Sequence, residues 1–367
     1  MENPYKNIDP AKIGTALMSL TAGAVFGFDG YVDEVWEIVE SRSGKDALTK
    51  YKQLGRFGEL IVGCGTGGVS AEILRKRRTY GGFTANTGNA AAKLGIDTAM
   101  IGLFGRDTLD PVFREFESVC AVMSAGDPAV SHIMEFEDGK LIFVYIREIM
   151  DAGWATLTAA VPERRLRELL ADKDAVALGY WSNMPAFDDI LDGIGGLLPE
   201  DGRPRRIFTD LADIRKRDAA SLCRTMEKLT DLNRRHPVTL SLNAHEAALL
   251  CGSYSITFQC EIDAARRCAE ALRRVLALDE ILVHTPRFAV SAAEDGSAAL
   301  PQRFCENPVR TTAAGDNFSA GYLAARLAGL NPTERIATAN AAAGVFVRRG
   351  KPPDKAELIN EIKMLNA

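Results

Sequence analysis

The chain has 367 residues, of which 47% are hydrophobic and 25% are charged, and its formal net charge is −5. These values are ordinary for a globular protein, and the acidic balance argues against a nucleic-acid partner or an anionic membrane surface. No apolar run is long enough to cross a bilayer, the N-terminus lacks the apolar core of a signal peptide, and the seven cysteines are scattered, so we expect a cytoplasmic protein with reduced thiols.

Short apolar stretches alternate with longer helix-like stretches along most of the chain. The apolar stretches predicted to be buried strands are residues 24–26, 99–101, 175–178, 206–208, 238–240 and 281–283. The main predicted helices are residues 85–94, 187–198, 219–235 and 262–276. This alternation is typical of a mostly parallel central sheet flanked by helices, and we therefore predict a single α/β domain over residues 1–367.

Two segments depart from this alternation. Residues 131–147 have the pattern of a β-hairpin with a turn at 137–140, and residues 35–80 form a long stretch with helical periodicity and a glycine cluster. We interpret both as lid or insertion segments, so that the fold carries a small β lid. The hairpin is too small to be stable alone, and we expect it to cover a substrate site or to pair with a second subunit as a homodimer.

A first candidate binding site follows the first strand and includes a glycine pair farther along. Gly81 and Gly82 allow a small polar ligand to approach the backbone, and Asn86 provides an amide that can bind hydroxyl groups. Asp29 and Asp33 follow the first strand, at the sheet edge where open α/β folds place their ligands. Either carboxylate could accept hydrogen bonds from vicinal hydroxyls, and the alternative is that one of them only caps a helix.

A second candidate site is a turn of small residues that leads into an alanine-rich helix. Ala313, Ala314 and Gly315 have no bulk that would cover their N–H groups, and helix starts attract anions. Asp316 stands beside them. Donors for a developing negative charge next to a base are what phosphoryl transfer to a hydroxyl requires. The alternative is an ordinary helix start whose acidic residue favours the helix dipole.

Together these motifs resemble those of the ribokinase-like carbohydrate kinases, the PfkB family. Residues 81–95 resemble its first signature and residues 312–316 its second, and the other matches are residues 101–107, 241–246 and 339–344. The resemblance implies a ribokinase-like fold and an ATP-dependent transfer of phosphate to a hydroxyl of a sugar or sugar-like substrate, with a nucleoside or a sugar phosphate as further possibilities. In that reading Asp316 is the general base, and the N–H groups of residues 313–315 stabilise the phosphoryl group.

The same resemblance implies ATP and Mg²⁺ as cofactors. In the family an N-x-x-E pair, here Asn243 and Glu246, organises the metal, largely through water. Thr285, Thr312 and Asn340 fall in segments that the resemblance places near the nucleotide. The alternative for Asn243 and Glu246 is a capping box at the start of a helix.

Some positions depart from the family pattern. Arg310 stands where an aspartate is usual and Ala313 where a glycine is usual, and the turn around Pro286 lacks two glycines. These departures motivate a different hypothesis, in which the chain is a catalytically weak ligand-binding or regulatory relative.

One further motif predicts a different class of enzyme. Residues 63–68 have the G-x-G-x-x-G spacing of a dinucleotide-binding turn, followed by a helix-like stretch at 69–78. No strand ending in an acidic residue follows at the expected distance, so an NAD-dependent enzyme is disfavoured. The basic run 75–78 is interpreted as the solvated end of that helix, with a nucleic-acid patch or a site for a phosphate-bearing acceptor as alternatives.

Overall fold

The structure is a computed structural model and describes residues 3–366. The strands are β1 (Gly23–Phe28), β2 (Tyr31–Arg42), β3 (Leu48–Lys50), β4 (Ile73–Gly81), β5 (Asp97–Gly102), β6 (Ala121–Ser124), β7 (Ala129–Glu135), β8 (Lys140–Tyr145), β9 (Ala175–Gly179), β10 (Arg206–Asp210), β11 (Val238–Asn243), β12 (Glu280–His284), β13 (Phe288–Ala293) and β14 (Gly296–Pro301). The α-helices are α1 (Pro10–Met18), α2 (Leu54–Gly63), α3 (Phe83–Lys93), α4 (Arg147–Asp151), α5 (Trp154–Ala160), α6 (Glu163–Asp172), α7 (Phe187–Leu197), α8 (Ala219–Asn233), α9 (Ala244–Ser253), α10 (Ile262–Leu276), α11 (Ala314–Leu327), α12 (Pro332–Arg349) and α13 (Lys355–Asn366). Short 3₁₀ turns lie at Pro111–Ser118, Trp181–Asn183 and Ile214–Lys216.

The larger sheet has the strand order β14-β13-β12-β11-β10-β9-β1-β5-β6. Its strands are parallel from β12 to β6, and β13 and β14 continue it in antiparallel fashion. Successive strand residues point to opposite faces, so Val25 packs into one hydrophobic core and Phe26 into the other. Helices α7, α8 and α10 cover the first face, and α3, α11 and α12 cover the second. The predicted α/β class with a mostly parallel sheet is confirmed.

The predicted strands and main helices of the larger sheet are all present, within a few residues at their ends. For example, β1 runs from Gly23 to Phe28, all six of its residues are buried, and α10 has the predicted bounds Ile262–Leu276. These elements could be recognised because an unbroken apolar run is typical of a strand buried on both faces. The packing of a central parallel sheet thus follows directly from the sequence pattern.

The smaller sheet has the order β3-β2-β7-β8, and β4 pairs with β2. The predicted hairpin is present as β7 and β8, joined in antiparallel register from Val130 opposite Tyr145 to Glu135 opposite Lys140. Residues 35–80, whose periodicity indicated helix, instead supply most of β2, β3 and most of β4, together with helix α2. The two segments that depart from the α/β alternation therefore build one common sheet.

The prediction of a helix at residues 69–78 is wrong. Residues from Ile73 onwards form β4, which pairs with β2 from Gly81 opposite Tyr31 to Ile73 opposite Ile38. Pairing along this whole length outweighs the local helical periodicity, as tertiary contacts commonly do. Gly63 ends helix α2 instead of following a strand, so the glycine-rich stretch lacks the strand–turn–helix context of a dinucleotide fingerprint.

Two further features agree with the composition. No helix formed by residues 3–366 combines the length and apolarity that crossing a membrane would require. All seven cysteines are free thiols.

Candidate active site

Parallel strands bring several polar side chains to one edge of the larger sheet. Asp29 follows β1, Tyr180 follows β9, Asp210 ends β10, Asn243 ends β11 and Thr285 follows β12. These strands are neighbours and run in the same direction. Their carboxyl ends therefore form one row, which is where open α/β sheets bind ligands.

The turn of small residues lies directly against this row. Ala313 is the residue before helix α11 and has a left-handed backbone, with φ 73°. This conformation lets the N–H of Ala314 donate to the carbonyl oxygen of Thr311 at 3.1 Å. The expectation that three consecutive N–H groups are open to a ligand is thus corrected: the turn itself uses the one on Ala314. Among the described residues, the N–H groups of Ala313 and Gly315 have no backbone partner.

The left-handed conformation of Ala313 predicts a measurable strain. An alanine Cβ in this region costs about 1 kcal/mol or more, and glycine avoids that cost. We expect Ala313→Gly to raise the free energy of unfolding by about 1 kcal/mol in urea titrations. Ala314→Gly is the matched control, because Ala314 lies in regular helix and should lose about 0.5–1 kcal/mol. Equal losses in both variants would show that Ala313 is unstrained.

Asp316 is buried at the first turn of α11 and is held by two hydroxyl groups. Its Oδ1 accepts hydrogen bonds from Tyr180 Oη at 2.8 Å and from Thr87 Oγ1 at 3.2 Å. Burial and the nearby carboxylate of Asp210 raise the pKa of Asp316 to about 8. A carboxylate in this environment is a stronger proton acceptor than an ordinary aspartate.

Sequence reasoning missed Tyr180 as a site residue. Tyr180 nevertheless donates a hydrogen bond directly to Asp316. A signal was present, because Tyr180 directly follows the end of a buried parallel strand. Thr87 was missed as well, although it lies one residue after the predicted site residue Asn86.

The structure distinguishes the two candidate carboxylates after the first strand. Asp29 caps helix α3: Oδ2 accepts from the N–H of Phe83 at 2.8 Å, and Oδ1 accepts from the N–H and hydroxyl of Thr84 at 2.8 and 2.6 Å. Both oxygens of Asp29 are therefore engaged in holding the helix start. The alternative that one carboxylate is a cap is realised, although the capped helix is α3 and not one after residue 33, which lies in β2.

Asp33 lies on β2, and its carboxylate faces the glycine pair. A Cβ on Gly81 would lie 2.6 Å from Asp33 Oδ1, so a side chain at position 81 would collide with this carboxylate. Gly82 has φ 89°, and a Cβ there would lie 2.7 Å from Asp29 Oδ2. Asn86 is buried in the first turn of α3, one residue before Thr87. The predicted acceptor residues thus gather where β1, β2, β4 and α3 meet, and Thr87 links them to Asp316.

A cavity of about 570 Å³ opens on the other side of the small-residue turn. Three of the predicted nucleotide residues line it, namely Asn243, Thr285 and Asn340, together with Ala314 and Gly315. Thr312 and Glu246 do not line it. Its apolar walls come from Pro286, Phe304, Phe318 and Val347. The size and the apolar walls suit a nucleotide-sized ligand whose phosphates reach the turn.

Asn243 and Glu246 form the capping box that was the structural alternative for them. Asn243 Oδ1 accepts from the N–H of Glu246 at 3.0 Å, and Glu246 Oε2 accepts from the N–H of Asn243 at 2.9 Å. Burial and the carboxylate of Asp210 raise the pKa of Glu246 to about 9. Asp210 thus lies near both Glu246 and Asp316, and a bound cation would favour the ionised form of these carboxyl groups. Within residues 3–366 no three acidic, histidine or cysteine side chains form a metal cage, so a cation here would keep much of its water.

Comparison with known proteins supports the sequence reading. The ketohexokinase of Haloferax volcanii is 30% identical over 338 residues, which cover 91% of this chain and 89% of that protein. The structure of Arabidopsis thaliana ribokinase complexed with ribose and ATP aligns with a TM-score of 0.65 at 18% identity, covering 93% of this chain and 99% of that one. The adenosine kinase of Sinorhizobium meliloti aligns with a TM-score of 0.62 at 19% identity, over 94% and 99% of the two chains.

The structural likenesses confirm the predicted ribokinase-like fold, and the sequence likeness is more specific. The sequence pattern described as prokaryotic ketohexokinase matches residues 17–364. The predicted PfkB-type carbohydrate kinase is therefore confirmed, and the hypothesis of a catalytically weak relative is not favoured. The chain belongs to the prokaryotic ketohexokinase family.

Proposed function

We propose that the chain transfers the γ-phosphoryl group of ATP to a hydroxyl group of a ketohexose. The observation that carries this proposal is the position of Asp316. Its helix begins at the rim of the 570 Å³ cavity, and its carboxylate accepts a hydrogen bond from Thr87 on α3, the helix that also carries Asn86. A base between a nucleotide-sized cavity and the residues proposed to bind the acceptor is the arrangement needed for phosphoryl transfer between two bound substrates.

In this mechanism each residue has a simple task. Asp33 and Asn86 bind sugar hydroxyls and orient the ketohexose, while Gly81 and Gly82 allow it to approach. Asp316 accepts the proton of the attacking sugar hydroxyl while the oxygen of that hydroxyl forms a bond to the γ-phosphorus. At the same time the bond between the γ-phosphorus and the bridging oxygen of ADP breaks, and its electron pair leaves with ADP. The N–H groups of Ala313 and Gly315 donate to the phosphoryl oxygens.

Mg²⁺ would neutralise the charge of the phosphates when it is bound. Asn243 and Glu246 would hold it, largely through water, because a cation there would offset the repulsion between the carboxylates of Glu246 and Asp210. Thr285 and Asn340 would contact the nucleotide from the cavity wall, and Thr312 would contact the phosphates from the turn.

The acceptor can be identified by measuring ADP release with a panel of sugars. We expect fructose and other ketohexoses to have a higher kcat/KM than aldohexoses, ribose or adenosine. A clear preference for adenosine or for an aldose would contradict the proposed substrate. ADP release that is independent of any sugar would contradict the proposed transfer.

The role of Glu246 is tested by its response to metal. Glu246→Gln keeps the shape of the capping box but removes a negative charge, so we expect about a 10- to 100-fold higher Mg²⁺ concentration for half-maximal rate. Glu334→Gln is a matched control, since Glu334 forms the same kind of capping box at the start of α12. If both variants respond to Mg²⁺ like the unmodified protein, Glu246 is only a helix cap.

The smaller sheet is proposed to act as a lid within a single kinase domain of 367 residues. Its strand β8 exposes Ile142, Phe143 and Tyr145, which could pair with the same strand of a second subunit. Light scattering should then show a dimer that Phe143→Glu converts to a monomer.

We also propose a cytoplasmic location, because all seven cysteines are free.

A further inference from the structure

Three basic side chains surround Asp33 on the acceptor side of Asp316. Arg310 lies in the loop before α11, Arg77 lies on β4, and Lys140 begins β8. Each of the three attracts the carboxylate of Asp33, and Arg310 also attracts that of Asp316. None of the three side chains has a role in the proposed phosphoryl transfer.

The register of the smaller sheet places Arg77 and Lys140 on the same face of the sheet as Asp33. Asp33 is opposite Thr79, and Arg77 is two residues away on the same strand. Asp33 is also opposite Ser131 on β7, and Lys140 is opposite Glu135, four residues farther along β7. Residues separated by two or four positions on a strand share a face. The Nζ of Lys140 extends to the turn before α11, where it donates a hydrogen bond to Thr312 Oγ1 at 3.2 Å.

The positive charge in this set is only partly neutralised. Glu135 Oε1 lies 3.7 Å from Arg77 Nη2 and 3.8 Å from Lys140 Nζ. The other oxygen of Glu135, Oε2, pairs with Lys76 Nζ at 2.6 Å. Among residues 3–366, Arg310 makes no ion pair; it is partly buried, and its Cζ lies 5.5 Å from the centre of the Phe346 ring. The Nε atoms of Arg310 and Arg77 are both buried without a hydrogen-bond partner. Buried charged donors without partners are costly, so this arrangement is suited to an anion that supplies the missing acceptors.

We propose that Arg310, together with Arg77 and Lys140, binds a phosphate group on the acceptor side of Asp316. The inference rests on the proposed function. Two sources can provide the phosphate: the phosphoryl group as it passes from ATP to the sugar, which remains as the ester of the product, or a phosphate already present on the acceptor. In both cases the guanidinium of Arg310 binds phosphate oxygens and no covalent bond to the protein forms.

The test measures binding of two phosphate esters and turnover of a neutral sugar. Fructose 1-phosphate and fructose 6-phosphate are titrated calorimetrically into the unmodified protein, Arg310→Met, Arg310→Lys and Arg77→Gln. Arg42→Gln is the matched control, because Arg42 lies at the far end of β2 and pairs with Glu72 at 2.8 Å. We expect Arg310→Met to weaken ester binding by about 10-fold or more, Arg77→Gln to weaken it as well, and Arg310→Lys to restore part of it.

The combination of ester binding and turnover distinguishes the two sources of the phosphate. If the phosphate is the transferred group, Arg310→Met binds the ester that the protein forms from fructose less tightly and has an about 10²-fold lower kcat with fructose at an unchanged KM. If the phosphate belongs to the acceptor, only binding of the other ester weakens, and the unmodified protein phosphorylates that ester in preference to fructose.

The inference is overturned if folded Arg310→Met and Arg77→Gln bind both esters like the unmodified protein, or if the unmodified protein binds neither ester. Should the protein bind an ester through Arg310 but phosphorylate no ketohexose, the proposed function fails while the phosphate site stands. If Arg310→Met does not fold, Arg77→Gln and Arg310→Lys decide the question.

Discussion

Replacing Asp316 by asparagine should lower kcat by about 10²–10⁴-fold, because the amide keeps the shape of the side chain but cannot accept the proton of the sugar hydroxyl. Nucleotide affinity should hardly change, since the cavity is lined by other residues such as Asn243, Thr285 and Asn340. Both quantities can be measured by steady-state kinetics and by ATP titration. Near-normal turnover in a folded Asp316→Asn protein would rule out Asp316 as the base.

The same substitution should raise thermal stability. In the folded protein burial and Asp210 raise the pKa of Asp316 from 3.8 to about 8. The folded state therefore retains a proton that the unfolded chain releases, and stability falls as pH rises through this window. Asparagine cannot ionise, so Asp316→Asn should increase Tm by about 2 °C or more near pH 8, and the gain should vanish near pH 4.

The kinetic pH profile follows from the same pKa. Only the ionised carboxylate of Asp316 can accept a proton, so kcat/KM should rise with pH up to about the pKa of the free protein, which is near 8. If kcat/KM is instead constant between about pH 6 and pH 8, proton acceptance belongs to a carboxylate with an ordinary pKa near 4.

Replacing Asp33 by alanine should raise the KM for the ketohexose by about 5- to 150-fold, which corresponds to the loss of about 1–3 kcal/mol of hydrogen bonding in a buried site. KM for ATP should stay within about twofold, because Asp33 lies on β2 of the smaller sheet, whereas the cavity is lined by the ends of β11 and β12, by helices α9, α11 and α12 and by the loops beside them.

Asp29→Ala serves as the contrast to Asp33→Ala. Asp29 caps α3 with both carboxylate oxygens, so its loss should lower the free energy of unfolding by about 1–2 kcal/mol. Asp33→Ala should lower it much less. If Asp29→Ala raises KM while Asp33→Ala does not, the acceptor hydroxyls bind at Asp29 and the assignment of the two carboxylates must be exchanged.

Much of the larger sheet could be predicted because its strands are buried on both faces. An apolar run such as residues 281–283 has few other structures available when helical segments flank it. The order of the motifs then placed Asp316 next to a helix start, where it is found. Local sequence was sufficient here because Asp29, Asn243 and Thr285 lie at strand ends, and the topology brings these ends together.

The smaller sheet was harder to predict, because its strands are held by partners distant in sequence. Residues 73–81 form a strand only through pairing with β2, and nothing within the segment itself indicates this. For the same reason the sequence could not choose between Asp29 and Asp33. Their roles depend on which backbone lies opposite each carboxylate, and this is the helix start for Asp29 and Gly81 for Asp33.

The passages between the two sheets have a consequence for how substrate specificity can change. The chain crosses from β1 to β2 at Asp29 and Gly30 and from β4 to α3 at Gly82. A Cβ on Gly30 would lie 1.9 Å from the carbonyl oxygen of Leu103, so this crossing tolerates no bulk. The connections between the two sheets thus lie beside Asp33 and Asn86, the residues that we propose bind the sugar. If the smaller sheet acts as a lid, a substitution at these connections would change both the sugar site and the position of the lid, so we expect new acceptors to be accommodated by changes farther out on the smaller sheet.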